Sequence, residues 1–464
     1  MGQSKLLGGG TSNIVNGIIE EYYAATEDVS ANTFVEFISK TEMVAAASQK
    51  TLVESGTYGP VVRVSAAALS DTKVFVAFSV NVNTYRLYAL ICTVNTQTNT
   101  VTPGTVVNVS SDTAAAEIIS VVALTSSKVA LVYSGSATRT LAMIRCRICT
   151  ISGTTITMGT QQQLQPSNQF WGAGKAVKLT DSSFLLTGCA SSSSAASITL
   201  QAAVCTVSGT TVTVGSFTTI TSDEEQAVDT YEMIEISSTK VLLAISKKSS
   251  ANSSYKSTYV IILTVSGTTV TKGSWYEQKS NISYTQYIKL VKLSQTKAVL
   301  FYGGAYYQYA CVVTISGTSV SYGTSVYLQS KLSNYLDLYA AAYTTEYCII
   351  LTRESGSSGY SASMTVLTIS DKTITVNKKV SIGPHLCEYN YDVSIVPYEN
   401  SRKAIIFAGD APTNTSTVNL IQQVDDIEIY AGITPLTASS KFLGLTRNKA
   451  TTTKKGKVWV LKGE

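Results

Sequence analysis

The chain has 464 residues, of which 14% are charged and 44% hydrophobic, and its formal net charge is +5 at pH 7. No apolar run reaches the ~18 residues of a membrane-spanning helix, and the N-terminal segment lacks the apolar core of a secretory signal, so we expect synthesis in a cytosol without export or membrane insertion. Abundant serine, threonine, tyrosine and valine are typical of an all-β protein.

The two ends of the chain contain strand-like alternation and carry opposite charge. The first, residues 1–40, has an acidic stretch at Thr11–Ser39 without a single base. The second, residues 425–464, is basic. The repeats between these ends predict a closed ring, which brings the two termini together, so we interpret the two segments as the N-terminal half and the basic C-terminal half of one small β module.

One phrase recurs between these ends. It reads ICTISGTTITMGT at Ile148–Thr160 and VCTVSGTTVTVGS at Val204–Ser216, with further copies at Ile262–Ser274 and Val312–Thr324. Weaker copies begin near residues 91 and 366. A period of about fifty residues built from short alternating strands is typical of the blades of a β-propeller.

The segment Ile118–Gln165 shows how one blade is built. EIISVVAL, SSKVALVYS and LAMIRCRICTIS are nearly continuous apolar runs, which predict three strands covered on both faces. TTITMGTQQQLQ alternates and predicts one fourth strand at the half-exposed outer edge. The Ser-Gly pairs before it supply the positive φ of a tight hairpin.

The repeats predict a seven-bladed β-propeller of four-stranded antiparallel blades over residues 41–424. Six copies are complete, whereas the seventh, Val393–Val424, lacks its outer strand. SQKTLVESG at Ser48–Gly56 is similar to the fourth-strand phrase TSVYLQS at Thr324–Ser330. We therefore expect an N-terminal strand to complete the last blade and close the ring.

The cysteines do not form the pattern of a metal site. Cys92, Cys149 and Cys205 occupy one repeat position, where other blades have leucine or valine, so we expect buried free thiols. Cys146 and Cys149 have CxxC spacing, but on a strand this odd separation points them to opposite faces. We expect no metal and no cofactor.

Catalytic motifs are also missing from the sequence. His385 lies beside Cys387 in an irregular loop, which is a poor arrangement for a Cys-His pair. The loop Asp223–Glu225 could hold a cation or a glycosidase acid, but a solvated acidic turn is the simpler interpretation. We therefore expect no enzymatic activity.

A recognition surface is predicted where the connections between strands two and three and between successive blades vary in length and content. Variable loops on one face of a rigid scaffold are typical of binding surfaces, although weak constraint alone would also produce them. The aromatic residues of this face are Phe170, Trp171, Tyr306, Tyr307, Tyr335 and Tyr389. Aromatic rings beside hydroxyl and amide groups suit sugars or protein surfaces.

Three features together resemble a known group of proteins. They are the phrase LT[VI]SGTT[VI]T-x-G, the phrase ALS-x-[TS]KV of Ala68–Val74 and Leu124–Val129, and the position of the repeats between two halves of a terminal module. The combination is similar to propeller-bearing virion proteins of tailed bacteriophages, known as tail-fibre-like, head-fibre or decoration proteins. The C-terminal KFLGLTRNKATTTKKGKVWVL resembles the ILGVAxTxGxAGxxVxV pattern of their modules, except that Lys454-Lys455-Gly456 replaces an Ala-Gly pair.

The resemblance implies a virion structural protein that carries over no catalytic residues. We expect the terminal module to dock to capsid or tail proteins while the propeller projects outward as a decoration or fibre component for host attachment. The candidate docking residues are Lys441, Arg447, Lys449, Lys454, Lys455 and Lys457. A homo-oligomer is expected, and a trimer would follow the usual arrangement of such appendages.

Other functions remain open. The propeller could be a receptor-binding domain for a host-surface glycan or protein, or a glycan-cleaving enzyme. Nucleic-acid binding is not expected, because the basic charge is confined to one terminal segment instead of a working face.

Overall fold

A computed structural model describes most of the propeller strands and the backbone of the terminal strands. The described residues are 13–15, 18–25, 34–41, 44–53, 55–58, 61–82, 84–95, 100–110, 115–136, 143–164, 174–191, 198–221, 231–249, 252–278, 287–303, 307–330, 338–342, 344–356, 359–384, 393–398, 403–410, 419–426, 429–435, 442–446 and 456–461. Two compact units divide the chain, Met1–Val44 with Ile427–Glu464, and Ala45–Asp426. Within these described segments, no helix is long and apolar enough to span a membrane.

The unit formed by both ends of the chain is a six-stranded sheet. Its strands are β1 (Asn13–Val15), β2 (Ile18–Ala25), β3 (Phe34–Thr41), β37 (Ile429–Pro435), β38 (Phe442–Thr446) and β39 (Gly456–Leu461). The order is β1-β2-β37-β3-β38-β39, and β2 also pairs with β39, so the pairings close on themselves. Only β2 and β37 run parallel among these described pairs.

In the second unit, the first three blades each consist of four consecutive antiparallel strands and a short fifth segment. Blade 1 contains β5 (Val61–Ser70), β6 (Lys73–Val82), β7 (Thr84–Asn95), β8 (Thr100–Pro103) and β9 (Val107–Asn108). Blade 2 contains β10 (Ala115–Thr125), β11 (Lys128–Ser136), β12 (Met143–Ser152), β13 (Thr155–Met158) and β14 (Gln162–Gln163). Blade 3 contains β15 (Lys175–Thr180), β16 (Ser183–Ser191), β17 (Ile198–Ser208), β18 (Thr211–Val214) and β19 (Thr218–Thr219).

The next three blades repeat this plan. Blade 4 contains β20 (Tyr231–Ser237), β21 (Lys240–Ser249), β22 (Asn252–Ser266), β23 (Thr269–Lys272) and β24 (Tyr276–Gln278). Blade 5 contains β25 (Tyr287–Lys292), β26 (Lys297–Gly303), β27 (Tyr307–Ser316), β28 (Ser319–Tyr322) and β29 (Val326–Ser330). Blade 6 contains β30 (Leu338–Ala342), β31 (Tyr347–Gly356), β32 (Gly359–Ser370) and β33 (Thr373–Pro384). The prediction of four-stranded antiparallel blades is confirmed.

Six blades of consecutive strands are therefore described, not seven. A further sheet, in the order β34-β35-β36-β4, combines β34 (Ser394–Tyr398), β35 (Lys403–Asp410) and β36 (Asn419–Asp426) with β4 (Val44–Val53) from the other end of the chain. A short helix, α1 (Ser55–Tyr58), follows β4. Strand β34 contacts both β30 and β5, and Ser394 Oγ accepts a hydrogen bond of 3.0 Å from the backbone N–H of Ala66.

The core lies between neighbouring sheets. Phe75 and Leu87 of blade 1, for example, pack with Leu131 of blade 2, and all three are fully buried. Similar clusters join the other described blades in sequence, and Phe407 of the mixed sheet packs with blade 1. Burial on both faces explains the nearly continuous apolar runs, because each fully buried Leu or Phe contributes about 1.5–3 kcal/mol.

The fourth strand was predicted to be continuous, but in blades 1 to 5 it is divided into two segments. In blade 2, β13 and β14 pair with different parts of β12 and are separated at Gly159. A Cβ atom at Gly159 would lie 2.7 Å from the backbone oxygen of Ile148 and 2.9 Å from Cβ of Thr210 in blade 3. In blade 6, Asn377 replaces this glycine and β33 continues without a break. The glycine thus permits a close approach between the blades.

The Ser-Gly turns behave as predicted. Gly153, Gly209, Gly267 and Gly317 have φ angles between 58° and 63°. In blade 6, Asp371 stands at this position and adopts a φ of 49°. Aspartate tolerates the left-handed region better than most residues, which explains why the turn is kept without glycine.

Alanine substitutions at two glycines of adjoining blades separate the need for a positive φ from the need for a close approach between blades. Gly209→Ala should cost about 1 kcal/mol, because φ is positive but no atom lies within 4 Å of the new Cβ. Gly159→Ala should cost about 3 kcal/mol, because the new Cβ meets the backbone and the neighbouring blade. Urea unfolding of the full chain measures both, and equal losses would contradict the close-approach explanation.

Candidate functional site

Most of the predicted site residues lie outside the described part of the chain. Of the predicted aromatic face, only Tyr307 is described. Phe170, Trp171, Tyr306, Tyr335 and Tyr389 lie outside it, as do His385, Cys387, Asp223, Glu224 and Glu225. Of the docking residues, Lys457 lies in β39 and its side chain is not described, whereas Lys441, Arg447, Lys449, Lys454 and Lys455 lie outside the described ranges.

Tyr307 belongs to a group of aromatic side chains on blade 5, two exposed and one partly buried, which we call the tyrosine patch: Tyr307, Tyr327 and the partly buried Tyr309. The side chains of Tyr307 and Tyr327 are 50% and 48% exposed. Their ring centroids are 6.2 Å apart, and each lies within 6.5 Å of the Tyr309 ring. Together the three rings offer an aromatic surface with several hydroxyl groups.

Strand geometry places these rings together. Tyr307 and Tyr309 are two residues apart on β27 and therefore point to the same face. Tyr327 on β29 is the direct cross-strand partner of Tyr309. Residue 307 begins β27 and Ser330 ends β29, so the patch lies at the blade end where the variable connections were predicted.

A buried tyrosine supports the patch from below. Tyr302 is 1% exposed and stacks on Tyr309 with the rings 22° apart and the centroids at 5.9 Å. Its hydroxyl lies 2.5 Å from Ser325 Oγ and accepts a hydrogen bond of 3.2 Å from Gln278 of blade 4. Burial raises the pKa of Tyr302, so the hydroxyl remains protonated. The patch therefore rests on a fixed base.

Sequence reasoning identified Tyr307 but missed Tyr309 and Tyr327. The i, i+2 spacing in YYQYACVV would have placed Tyr309 beside Tyr307. Tyr327 was missed because the fourth strand was interpreted as one continuous strand, and the pairing of Tyr327 with Tyr309 could not be predicted from that interpretation.

A second polar site lies on the first strands of blades 3, 4 and 5. Glu232 Oε2 accepts hydrogen bonds from two ammonium groups, at 2.9 Å from Lys175 Nζ and at 3.0 Å from Lys289 Nζ. Each lysine is 57 residues from Glu232, so the three occupy one repeat position. Lys175 also lies over the Tyr231 ring, 5.7 Å from its centroid. Sequence analysis did not single out this charged group.

The two lysines control the charge of Glu232. Burial alone would raise the pKa of this carboxyl, but the ammonium groups of Lys175 and Lys289 outweigh burial and lower the pKa to about 2. Glu232 is therefore ionised at neutral pH and joins three blades electrostatically.

The cysteines occupy the buried apolar slots that were predicted. Cys92, Cys149 and Cys205 are fully buried, and none of the three forms a disulfide. Cys146 packs toward blade 3 and Cys149 toward blade 1, which confirms their opposite directions. Burial raises the pKa of Cys149 to about 12, so this thiol is unreactive at neutral pH. Among the side chains that the structure describes, no His, Cys, Asp and Glu group could hold a metal ion.

Comparisons with known proteins find similar solved structures at low sequence identity. No family model and no curated protein matches the chain. The β-propeller domain of the Trilobed protease from Pyrococcus furiosus is similar at 10% identity and a TM-score of 0.44, over 82% of this chain and 99% of that chain. The NanB sialidase of Streptococcus pneumoniae, in its K499G mutant form, is similar at 10% identity and a TM-score of 0.45, over 80% and 69%. A GH93 α-L-arabinofuranosidase of Fusarium graminearum is similar at 10% identity and a TM-score of 0.39, over 64% and 89%.

These structures correct one expectation. A chain without a recognisable catalytic motif was expected to be non-enzymatic, but the similar solved propellers include a sialidase and an arabinofuranosidase. The propeller fold therefore gives no ground for excluding an enzyme. It does not assign a reaction either, because fold alone does not imply function.

Glu232 and its two lysine partners make the stability of the fold depend on pH in the acid range. Its folded-state pKa of about 2 lies below the ordinary value of 4.5, so its contribution is complete above pH 4.5 and is lost as pH falls toward 2. Over this pH range, the Glu232 contribution to the free energy of unfolding should fall by about 3 kcal/mol in the wild type, and this decrease should be absent in Glu232→Gln. Chemical unfolding at several pH values measures it. Asp181→Asn, in an exposed pair with Lys178, is the control and should keep the wild-type acid dependence.

Proposed function

We propose that the chain is an attachment protein whose propeller binds sugars of a host-cell surface through the tyrosine patch. The observation that carries the proposal is the pair of half-exposed rings of Tyr307 and Tyr327 beside Tyr309, which stacks on the buried Tyr302. Tyrosine offers a large, rigid and amphipathic contact area at low entropic cost, which suits the mixed apolar and hydroxyl faces of a sugar.

A rigid scaffold would support this role. We infer that the mixed sheet of β34, β35, β36 and β4 acts as the seventh blade and closes the propeller. Contacts of β34 with β30 on one side and β5 on the other support this inference. Closure by strands from distant parts of the chain would protect sheet edges and hold the tyrosine patch in a fixed orientation.

Removing the exposed rings tests the patch. Tyr307→Ala combined with Tyr327→Ala should weaken binding to host-surface polysaccharide about tenfold or more, while the melting temperature changes little, because both side chains are half exposed. Cell pull-down and glycan-array binding measure the effect. Val376→Ala on blade 6 is the control, since Val376 is 38% exposed. Equal binding by both variants would refute the assignment.

A second proposal concerns how the protein is attached. We propose that the closed sheet formed by both chain ends docks the protein to capsid or tail proteins of a bacteriophage particle. Support comes from the separate compact unit that these ends form, and from the resemblance of the repeat and C-terminal phrases to virion proteins. The basic residues of this end would complement an acidic partner surface. A homo-oligomer, such as a trimer, belongs to the same proposal.

Charge reversal tests the docking proposal in the full chain. Lys449→Glu, Lys454→Glu and Lys455→Glu together should reduce incorporation into particles at least about tenfold, because opposed charges then become like charges. Mass spectrometry of purified particles measures incorporation. Lys73→Glu, Lys128→Glu and Lys297→Glu change the charge equally on the propeller and should leave incorporation intact. Normal assembly of the first variant would disprove the basic docking surface.

A further inference from the structure

One position of the third strand is a tyrosine in blades 1, 4 and 5. Tyr88 on β7, Tyr259 on β22 and Tyr309 on β27 are equivalent, because each pairs with the sixth residue of the second strand of its blade. Each also packs into an apolar cluster that its blade shares with a neighbouring sheet. The repeat therefore places a tyrosine ring between two sheets at the same level of three blades.

Each of these tyrosines has a second aromatic ring beside it. In blade 1, the ring of Tyr58 from α1 meets the ring of Tyr88 edge to face, with the centroids 5.1 Å apart, and Tyr88 is 8% exposed. In blade 5, Tyr327 of the tyrosine patch lies beside Tyr309, with the centroids 6.0 Å apart. The position thus accepts a ring-shaped partner, and in blade 1 the chain itself supplies one.

Blade 4 has a ring pair at this position that we call the tryptophan corner: Tyr259 of β22 and Trp275, which precedes β24. Their ring centroids are 6.4 Å apart and their planes meet at 79°. Both side chains are partly exposed, unlike that of Tyr88 in blade 1. Two ring planes that meet nearly at a right angle form a corner with two apolar walls, which suits one face of a sugar ring.

An exposed carboxylate stands beside this corner. Glu277 on β24 is the direct cross-strand partner of Tyr259, as Tyr327 is of Tyr309 in blade 5. Direct partners have Cβ atoms about 4.5–5.5 Å apart on one face of the sheet. The Glu277 side chain is exposed. A carboxylate accepts hydrogen bonds at two oxygens, so two adjacent hydroxyl groups of one sugar ring can donate to it together.

We propose that the tryptophan corner and Glu277 form a second sugar-binding site, which prefers a sugar ring with two adjacent hydroxyl groups. The apolar face of the sugar packs against Trp275 and Tyr259, and the hydroxyl groups donate to the Glu277 carboxylate. This inference rests on the proposal that the propeller binds host-surface sugars, and it adds a site on the blade next to the tyrosine patch. Two sites on neighbouring blades increase the avidity for a polysaccharide that reaches both.

Fluorine NMR of the full chain labelled with 5-fluorotryptophan tests the proposal, because the Trp275 signal reports directly on the corner. The signal is identified by its loss in Trp275→Phe. The probes are methyl β-D-glucopyranoside, methyl β-D-galactopyranoside and methyl α-D-mannopyranoside. At least one of them should shift the Trp275 signal in a saturable way, and no saturable shift by any of them overturns the site. Cyclohexanol, a ring without adjacent hydroxyl groups, should bind at least about tenfold more weakly, and equal binding would refute the preference for adjacent hydroxyls.

Three variants assign the signal change to the corner. Glu277→Gln should weaken sugar binding about tenfold or more, because hydrogen bonds to a charged carboxylate are lost while the exposed position keeps the fold intact. Glu346→Gln, an exposed acid on blade 6, is the matched control and should bind as the wild type does. Unchanged binding by Glu277→Gln would overturn the assignment.

The variant with Tyr307→Ala and Tyr327→Ala separates the two sites. It should keep the sugar-induced shift of the Trp275 signal, and loss of that shift would show that the corner has no site of its own. Failure of the tyrosine patch appears instead as unchanged polysaccharide binding by this variant. The two results are independent, so each proposal can fail without the other.

Discussion

Apolar contact between neighbouring sheets holds the propeller together. Each blade buries both faces, so the clusters between blades 1 and 2 or 4 and 5 are cores shared by two repeats. A blade alone would expose these faces, and a repeat is therefore stable only beside its neighbours. The tight approach at Gly159 follows from the same requirement, because the outer strand of one blade must fit against the turn of the next. Tyr302, on which Tyr309 of the tyrosine patch stacks, belongs to the core that blades 4 and 5 share.

Much of the fold could be predicted because the repeated phrase is visible in the sequence at a regular spacing. The first three strands of each blade, the Ser-Gly turns and the opposite directions of Cys146 and Cys149 all follow from apolar patterning and strand geometry. The break in the fourth strand could not be read in the same way. The phrase TTITMGTQQQLQ alternates along its first half. Only the short distance between a Cβ atom at Gly159 and Thr210 of the next blade explains why the strand is interrupted there. Contacts between repeats leave little trace in the sequence of one repeat.

The candidate sites were less predictable than the fold. Tyr307 was expected from loop comparison, but its partners lie on regular strands that the comparison of loops did not consider. The Lys175, Glu232 and Lys289 group was also missed, although each step of 57 residues equals one repeat. Aligning the first strands instead of the loops would have placed opposite charges side by side. Reading absent motifs as absent catalysis was a weaker argument, because catalytic groups can be adjacent in the fold without being close in sequence.

The mixed sheet has a consequence for how the protein is made. Ser394 and Ala66 meet across 328 residues, and β4 is synthesised long before the strand that it pairs with. Contacts this distant in sequence form slowly, and an unpaired strand edge is prone to association with other chains while it waits. Nascent chains would therefore carry an open N-terminal edge until translation is nearly complete. Timing on the ribosome would then limit the yield of molecules in which β4 has paired with β36.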